Sequence, residues 1–250
     1  MKKMHAFGWK PDIPDHRDFY HISRDVKKLP RVVDLSKSMK LCYNQGRLGS
    51  CTANAIAGAV QYCRRKQRQS AFMPSRLFIY YGERVLENSV AYDAGAYIRD
   101  GMKVINSLGV CNEVLWPYLV DKFTVKPSDV AFKRALLCQS IKYERVLQTE
   151  SDLCSCLAGG FPVVFGFSVY ESFQSLQVVA SGMVPMPAPS ERFLGGHAVL
   201  LVGYDLDKRL WKVRNSWGIH WGCSGYMFMP FEYLVSDNLA ADFWTLTLTE

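Results

Sequence analysis

The sequence predicts an α+β protein whose helices and strands are segregated along the chain. Three observations carry that expectation. Apolar residues recur at helical spacing in several segments between Cys51 and about Ser140. From Ile141 onward the pattern changes to short apolar runs separated by Gly and Pro turns. The chain is also long and apolar enough, at 250 residues and 49% hydrophobic, to bury a sizeable core as one compact unit or as two lobes sharing a cleft.

Residues 1–28 are rich in Pro, Asp, His and Lys, with Phe7, Trp9, Phe19 and Tyr20 interspersed. They read as an arm lying along a surface, its aromatics packed on the body as a structural element. Residues 29–140 form the mainly helical part. Its first helix opens at Cys51 in CTANAIAGAVQYCRRKQRQ, where Ala53, Ile56, Ala57 and Val60 share a face. The basic residues Arg64, Arg65, Lys66 and Arg68 fall at its C-terminus, where positive charge complements the helix dipole. A solvated helix end accounts for them better than a nucleic-acid patch. Further helices are expected in SRLFIYYGERVLEN from Ser75 and in AYIRDGMKVINSLG from Ala96, the latter closed by Gly109.

Residues 141–250 form the mainly β part. A short helix starts near Thr149, and strands are expected at Phe161 to Val169, Ala198 to Tyr204, Leu210 to Arg214 and Gly225 to Met229. The long Pro-rich segment 171–194, containing SGMVPMPAPSERF, lies just before His197 and reads as a specificity loop; the alternative is a cover over the cleft.

Three runs carry chemistry: NQGRLGSC ending at Cys51, LGGHAVLLVGY around His197, and VRNSWGIHWG around Asn215. A neutral thiol is a poor nucleophile, so a thiol enzyme must make thiolate, by pairing with imidazolium or by placement at a helix N-terminus. Cys51 suits both. Gly46, Gly49 and Ser50 form a turn that can aim backbone N–H groups at a carbonyl oxygen, and Gln45 can add a side-chain N–H. His197 stands at the mouth of a buried strand. Asn215 ends the next strand, where its carbonyl can orient one imidazole nitrogen while the other meets the thiol, with Trp217 shielding that bond from water. Singly, a helix-start Cys is usually a small buried hydrophobe and a His beside a strand a satisfied core residue. The joint pattern outweighs those readings.

At these residues the chain resembles the papain-type cysteine peptidases, whose downstream His and Asn are part of the family's known signature. The likeness runs from LPRVVDLS near Leu29 through GVCNEVLWPY at Gly109 and FPVVFGF at Phe161 to GCSGYMFM ending at Met229. It implies a two-lobed fold, a helical lobe beside an antiparallel β-barrel-like lobe, with the active-site cleft between them. It implies Cys51 as nucleophile, His197 as acid/base, Asn215 as orienter and Gln45 in the oxyanion hole. Gly49, Gly95, Ala96, Tyr97, Ala198 and Trp217 would line the substrate site, with Gly95, Ala96 and Tyr97 pairing with substrate backbone. The expected activity is cysteine-type endopeptidase. Related acyl transfer, by a transpeptidase or protein deamidase, would use the same triad, and a noncatalytic binding protein with an occluded cleft is the remaining alternative.

The chain also departs from the family. Leu48 and Asp93 stand where members usually carry two disulfide-bonded cysteines, so both partners are missing together. Thr52 replaces the usual Trp, and Gly196 an Asp common in plant members. Only the short arm precedes the mature-like start at Leu29, so inhibition by a long propeptide is not expected; the arm is expected to be a permanent structural element whose deletion lowers stability without raising activity, and a short inhibitory arm is the alternative. Met1 is followed by a polar stretch without an apolar signal core, which points to the cytoplasm or to export without a classical signal peptide. No run spans a membrane. Cys154 and Cys156 point in different directions on their helix and no second close pair completes a zinc site, so no metal or other cofactor is expected. The net charge of +7 favours acidic partners only weakly, and the expected partner is a peptide or protein substrate met by a monomer.

Overall fold

The structure, a computed structural model, describes residues 6–22, 29–40, 42–70 and 72–248. In chain order its elements are β1 (Trp9–Lys10), β2 (Val32–Asp34), α1 (Cys51–Lys66), α2 (Arg76–Leu86), β3 (Ala96–Tyr97), α3 (Ile98–Ser107), α4 (Asp129–Ala135), β4 (Ser140–Arg145) and α5 (Glu150–Ala158). Then follow β5 (Val163–Tyr170), α6 (Leu176–Ser181), β6 (Phe193–Asp205), β7 (Leu210–Arg214), β8 (Tyr226–Pro230), α7 (Phe231–Val235) and β9 (Ala240–Leu248). Helices dominate the first half and strands the second, as the periodicities predict.

Local chemistry sets most helix starts. The Ser75, Ser128, Thr149 and Ser175 side chains each accept from a backbone N–H in the first turn of the helix that follows. Helix α1 differs: Ser50 makes no side-chain cap, so first-turn donors remain for other oxygens at the end that bears Cys51. At the other end Arg64 lies over Phe72, while Lys66 bonds the carbonyls of Gly159 and Gly160. Both side chains are thereby part of the body.

The seven-stranded antiparallel sheet has the order β4-β9-β5-β6-β7-β8, with β2 also pairing with β6. Strand β6 is buried on both faces, which is why its sequence is continuously apolar. Ala198, Leu200 and Val202 join the core under α1, α2 and α3, whereas Val199 and Leu201 join a second core with Phe165, Phe167 and Trp211. Small residues let α1 approach closely: a Cβ at Gly58 would lie 3.1 Å from Leu200. This contact brings the start of α1 to the start of the apolar stretch of β6.

The β part is an antiparallel sheet, as expected, and among the described residues it is open rather than a closed barrel. Its two outer edges meet chain rather than each other. Arg145 of β4 exchanges backbone bonds with Phe19 and His21 of the arm, and Phe228 of β8 does so with Gly182 and Val184. Each edge is covered, so closure has no unpaired strand to drive it. All eight cysteines are free thiols, and only Cys223 is exposed. No helix among the described residues is long and apolar enough to cross a membrane.

Candidate active site

Cys51 is the first residue of α1 and is completely buried. Backbone groups of Ala198, Gly8 and Thr52 lie on its sulfur's side and favour its charged form. Ala198 follows His197 directly in β6, so the thiol and the imidazole converge at the α1–β6 contact. Burial pushes the Cys51 thiol up to about 11, against the pull of those backbone groups.

His197 is also fully buried, and its Nε2 lies 2.8 Å from Asn215 Oδ1. Asn215 Oδ1 accepts in addition from the Ser216 backbone N–H at 2.8 Å, which fixes the orientation of the amide. Trp217 covers the pair, its ring 4.9 Å from the imidazole, and the edge of Phe167 closes the other side at 5.7 Å. Behind Trp217 stands Phe173, from the segment expected to form a specificity loop. A hydrogen bond shielded in this way keeps the ring in one orientation, as a general acid/base requires.

Gln45 is buried, with Oε1 accepting from Ser216 Oγ at 2.6 Å. The opposite end, Nε2, donates to the carbonyls of Leu48 and Ala6 at 2.9 and 3.1 Å. The second acceptor belongs to the arm. A carbonyl oxygen of the chain itself thus takes the hydrogen bond that the sequence reading assigns to a substrate.

The arm fills the cleft over residues 6–10. Phe7 packs against His197 and Trp217, with ring centroids 6.2 Å from each. The Gly8 carbonyl accepts from Ala96 N–H at 2.7 Å, and β1 continues as a parallel partner of β3, Trp9 opposite Ala96 and Lys10 opposite Tyr97. Here glycines are required: a Cβ on Gly8 would come 1.8 Å from the Gly49 carbonyl, and one on Gly95 2.1 Å from the Gly8 carbonyl. Gly95 also has a positive φ of 69°. Beyond the cleft, Asp12, Asp18 and Asp242 meet Arg99 and Arg145 in a largely buried ionic cluster that anchors the arm.

The departures noted in the sequence have local substitutes. Both Asp93 carboxylate oxygens accept from the Gly49 N–H at 3.0 Å, and Oδ1 also accepts from Tyr80 O–H at 2.5 Å. A carboxylate therefore ties the two loops that family members usually join by a disulfide, while Leu48 is buried. Thr52 donates to the buried Glu83 at 2.9 Å, and burial holds that carboxyl well above its usual range.

The structure brings the ten residues named from the sequence together around residues 6–10: Gln45, Cys51, His197 and Asn215, with Gly49, Gly95, Ala96, Tyr97, Ala198 and Trp217. The sequence reading missed Phe7, Gly8 and Trp9 as occupants. It expected all four arm aromatics on the body, whereas Phe19 and Tyr20 are exposed. A glycine between two aromatics, in Phe7-Gly8-Trp9, is the signal that marks a close approach of backbone. Asp242 and Ser216 were missed too; neither carries a sequence signal. Among the described residues no three metal-ligating side chains come together.

Residues 29–233 match the family model described as papain family cysteine protease. The chain is 42% identical to an uncharacterised peptidase C1-like protein of Acanthamoeba polyphaga mimivirus, covering 96% of this chain and 86% of that one. It is 26% identical to ananain of Ananas comosus, over 81% of this chain and 56% of that protein. Among solved structures, xylellain, a cysteine protease from Xylella fastidiosa, superposes with a TM-score of 0.93 at 44% identity, covering 100% of this chain and 98% of that one. A procathepsin B of Trypanosoma congolense shares the fold at a TM-score of 0.76 and 16% identity, over 98% of this chain and 87% of that one.

Proposed function

We propose that this chain, which belongs to the papain family of cysteine proteases, is an endopeptidase that works through a thioester on Cys51 and is held latent by its own arm. The observation that carries the catalytic reading is the 2.8 Å contact of His197 Nε2 with Asn215 Oδ1, buried beneath Trp217. With Nε2 engaged by Asn215, Nδ1 serves the thiol. Proton transfer from Cys51 to His197 makes a thiolate–imidazolium pair. The thiolate attacks the peptide carbonyl, and Gln45 Nε2 and the Cys51 backbone N–H receive the oxyanion. His197 then gives its proton to the leaving amine as the C–N bond breaks. Water, deprotonated by His197, cleaves the thioester and releases thiolate.

The latent reading rests on the arm's direction. From the N-terminal side it passes beside His197 and Trp217, where a leaving amine would sit, and then runs to the Ala96–Tyr97 wall, where the acyl side would lie. A substrate would run the other way. The arm therefore fills the cleft without offering a peptide bond in the orientation for attack.

The test treats the full chain with a thiol-directed epoxysuccinyl inhibitor and a fluorogenic peptide library, with Cys51→Ala as control. Slow labelling confined to Cys51 together with slow turnover is expected, both rising when the arm is weakened by Trp9→Ala. Labelling without turnover on any peptide would transfer the reading to another acyl-transfer reaction, and no labelling even with the arm weakened would remove the catalytic claim.

A further inference from the structure

Trp9 marks a second feature of the cleft. Its indole lies on strands β5 and β6 where both carry glycine: a Cβ on Gly166 would come 1.9 Å from indole Cε2, and one on Gly196 2.7 Å from Cε3. Gly166 pairs with Ala198, and Gly196 with Ser168, so the two bare positions are neighbours on the sheet. The hollow exists because side chains are missing there.

Its inner end is polar. Trp9 Nε1 donates to Asp242 Oδ2 at 3.1 Å, and the same oxygen accepts from Asp12 N–H at 2.7 Å. Asp242 is buried and sits at a left-handed φ of 59°. Arg145 Nη1 approaches the other oxygen at 3.4 Å. An apolar slot one ring wide thus ends in a carboxylate that can accept a hydrogen bond from the ring's edge.

The hollow is in register with the reacting centre. Gly8 packs against the Gly49 carbonyl, two residues before Cys51, and its own carbonyl accepts from Ala96 N–H, and Trp9 is the next residue along the same wall. We infer that the Trp9 hollow is the enzyme's specificity pocket and takes a substrate tryptophan as the second residue on the acyl side, with Gly166, Gly196 and Asp242 as the determinants. This rests on the peptidase reading above. The arm holds its place by presenting the side chain the pocket selects. Phenylalanine fills the slot but leaves the Asp242 oxygen without the ring donor, which makes the preference one for indole rather than for aromatics in general.

The experiment uses the full chain carrying Trp9→Ala, so that the hollow is emptied. Matched fluorogenic peptides with Trp, Phe, Leu or Arg at that position are compared, and the same peptides are titrated calorimetrically into the chain carrying Cys51→Ala and Trp9→Ala. Trp is expected to exceed Phe by about tenfold in kcat/KM and in affinity. Gly166→Ala should cancel the preference and, in the otherwise native chain, unseat the arm and speed Cys51 labelling. Asp242→Gly, which accepts the positive φ, should bring the Trp:Phe ratio close to one. Equal binding of Trp and Leu peptides, or a ratio unmoved by Gly166→Ala, overturns the pocket assignment. Selective binding of the Trp peptide without turnover or labelling by the Cys51-containing form overturns the peptidase reading instead.

Discussion

Replacing Trp9 by Ala should convert a slowly labelled thiol into a rapidly labelled one. In the closed form the indole is buried against the backbone of Gly166 and Gly196 and bonded to Asp242; with the arm lifted it is exposed. Truncating a buried Trp to Ala costs about 3 kcal/mol or more, and each 1.4 kcal/mol is about tenfold. The closed-to-open ratio should therefore fall by roughly two orders of magnitude. While the closed form dominates, the rate of Cys51 labelling by an epoxysuccinyl reagent is proportional to the open fraction, so that rate should rise by about the same factor until opening saturates. Phe19→Ala is the matched control, because Phe19 lies on the same arm but is 78% exposed. An unchanged labelling rate in Trp9→Ala, or an equal rise in Phe19→Ala, would refute the claim that this contact holds the cleft shut.

Other consequences can be measured separately. Asn215→Ala should lower kcat by about two to four orders of magnitude yet leave measurable turnover, because in the proposed mechanism Asn215 orients His197 without exchanging its proton; steady-state kinetics unchanged from the native chain would contradict that role. Burial in the closed form holds the Cys51 thiol near 11, so closure retains the thiol proton; this contribution is fully present below the ordinary thiol value of 9.0 and is lost as pH rises through about 11. Iodoacetamide labelling of the native chain should accordingly keep climbing above pH 9, whereas Trp9→Ala should level off at lower pH; a plateau near pH 8 in the native chain would falsify the closed-state assignment. Asp93→Ala leaves the Gly49 N–H and the Tyr80 hydroxyl without their acceptor and should cost about 3 kcal/mol, a fall in Tm of roughly 6–12 °C by calorimetry; an unaltered melt would show that the carboxylate does not tie the two loops.

Much of the fold was legible because the local signals and the tertiary demands agree. The expected start of a helix at Ser75 is realised with Ser75 as cap of α2, and Cys51 does begin α1. The unbroken apolar run after His197 reads as a fully buried strand, and β6 indeed contributes to both cores. Strands β4 and β9 were not legible individually. SIKYER mixes charges with apolar residues because β4 lies at the sheet's end, where Glu144 and Arg145 serve ion pairs with the arm cluster and its neighbours. Barrel closure could not be judged from strand patterns at all, since it depends on what covers the edges of β4 and β8.

The cleft's occupant was illegible for a different reason. Aromatic residues in a polar arm indicate that something is buried, and the periodicities of a two-residue strand are too short to indicate against what. The parallel pairing of β1 with β3 needs backbone groups and an unobstructed path, supplied by glycines dispersed over three parts of the chain: Gly8, Gly49 and Gly95 at the wall, then Gly166 and Gly196 under the indole. Each glycine alone reads as a turn or a weak point in a strand. Only their convergence on Phe7-Gly8-Trp9 distinguishes a surface arm from one threaded through the cleft. On the proposed reading the same convergence would make closure and reactivity exclude each other: Cys51 is fully buried while Gly8 is seated between Gly49 and Gly95, so the thiol would gain solvent and a substrate carbonyl only when the arm leaves.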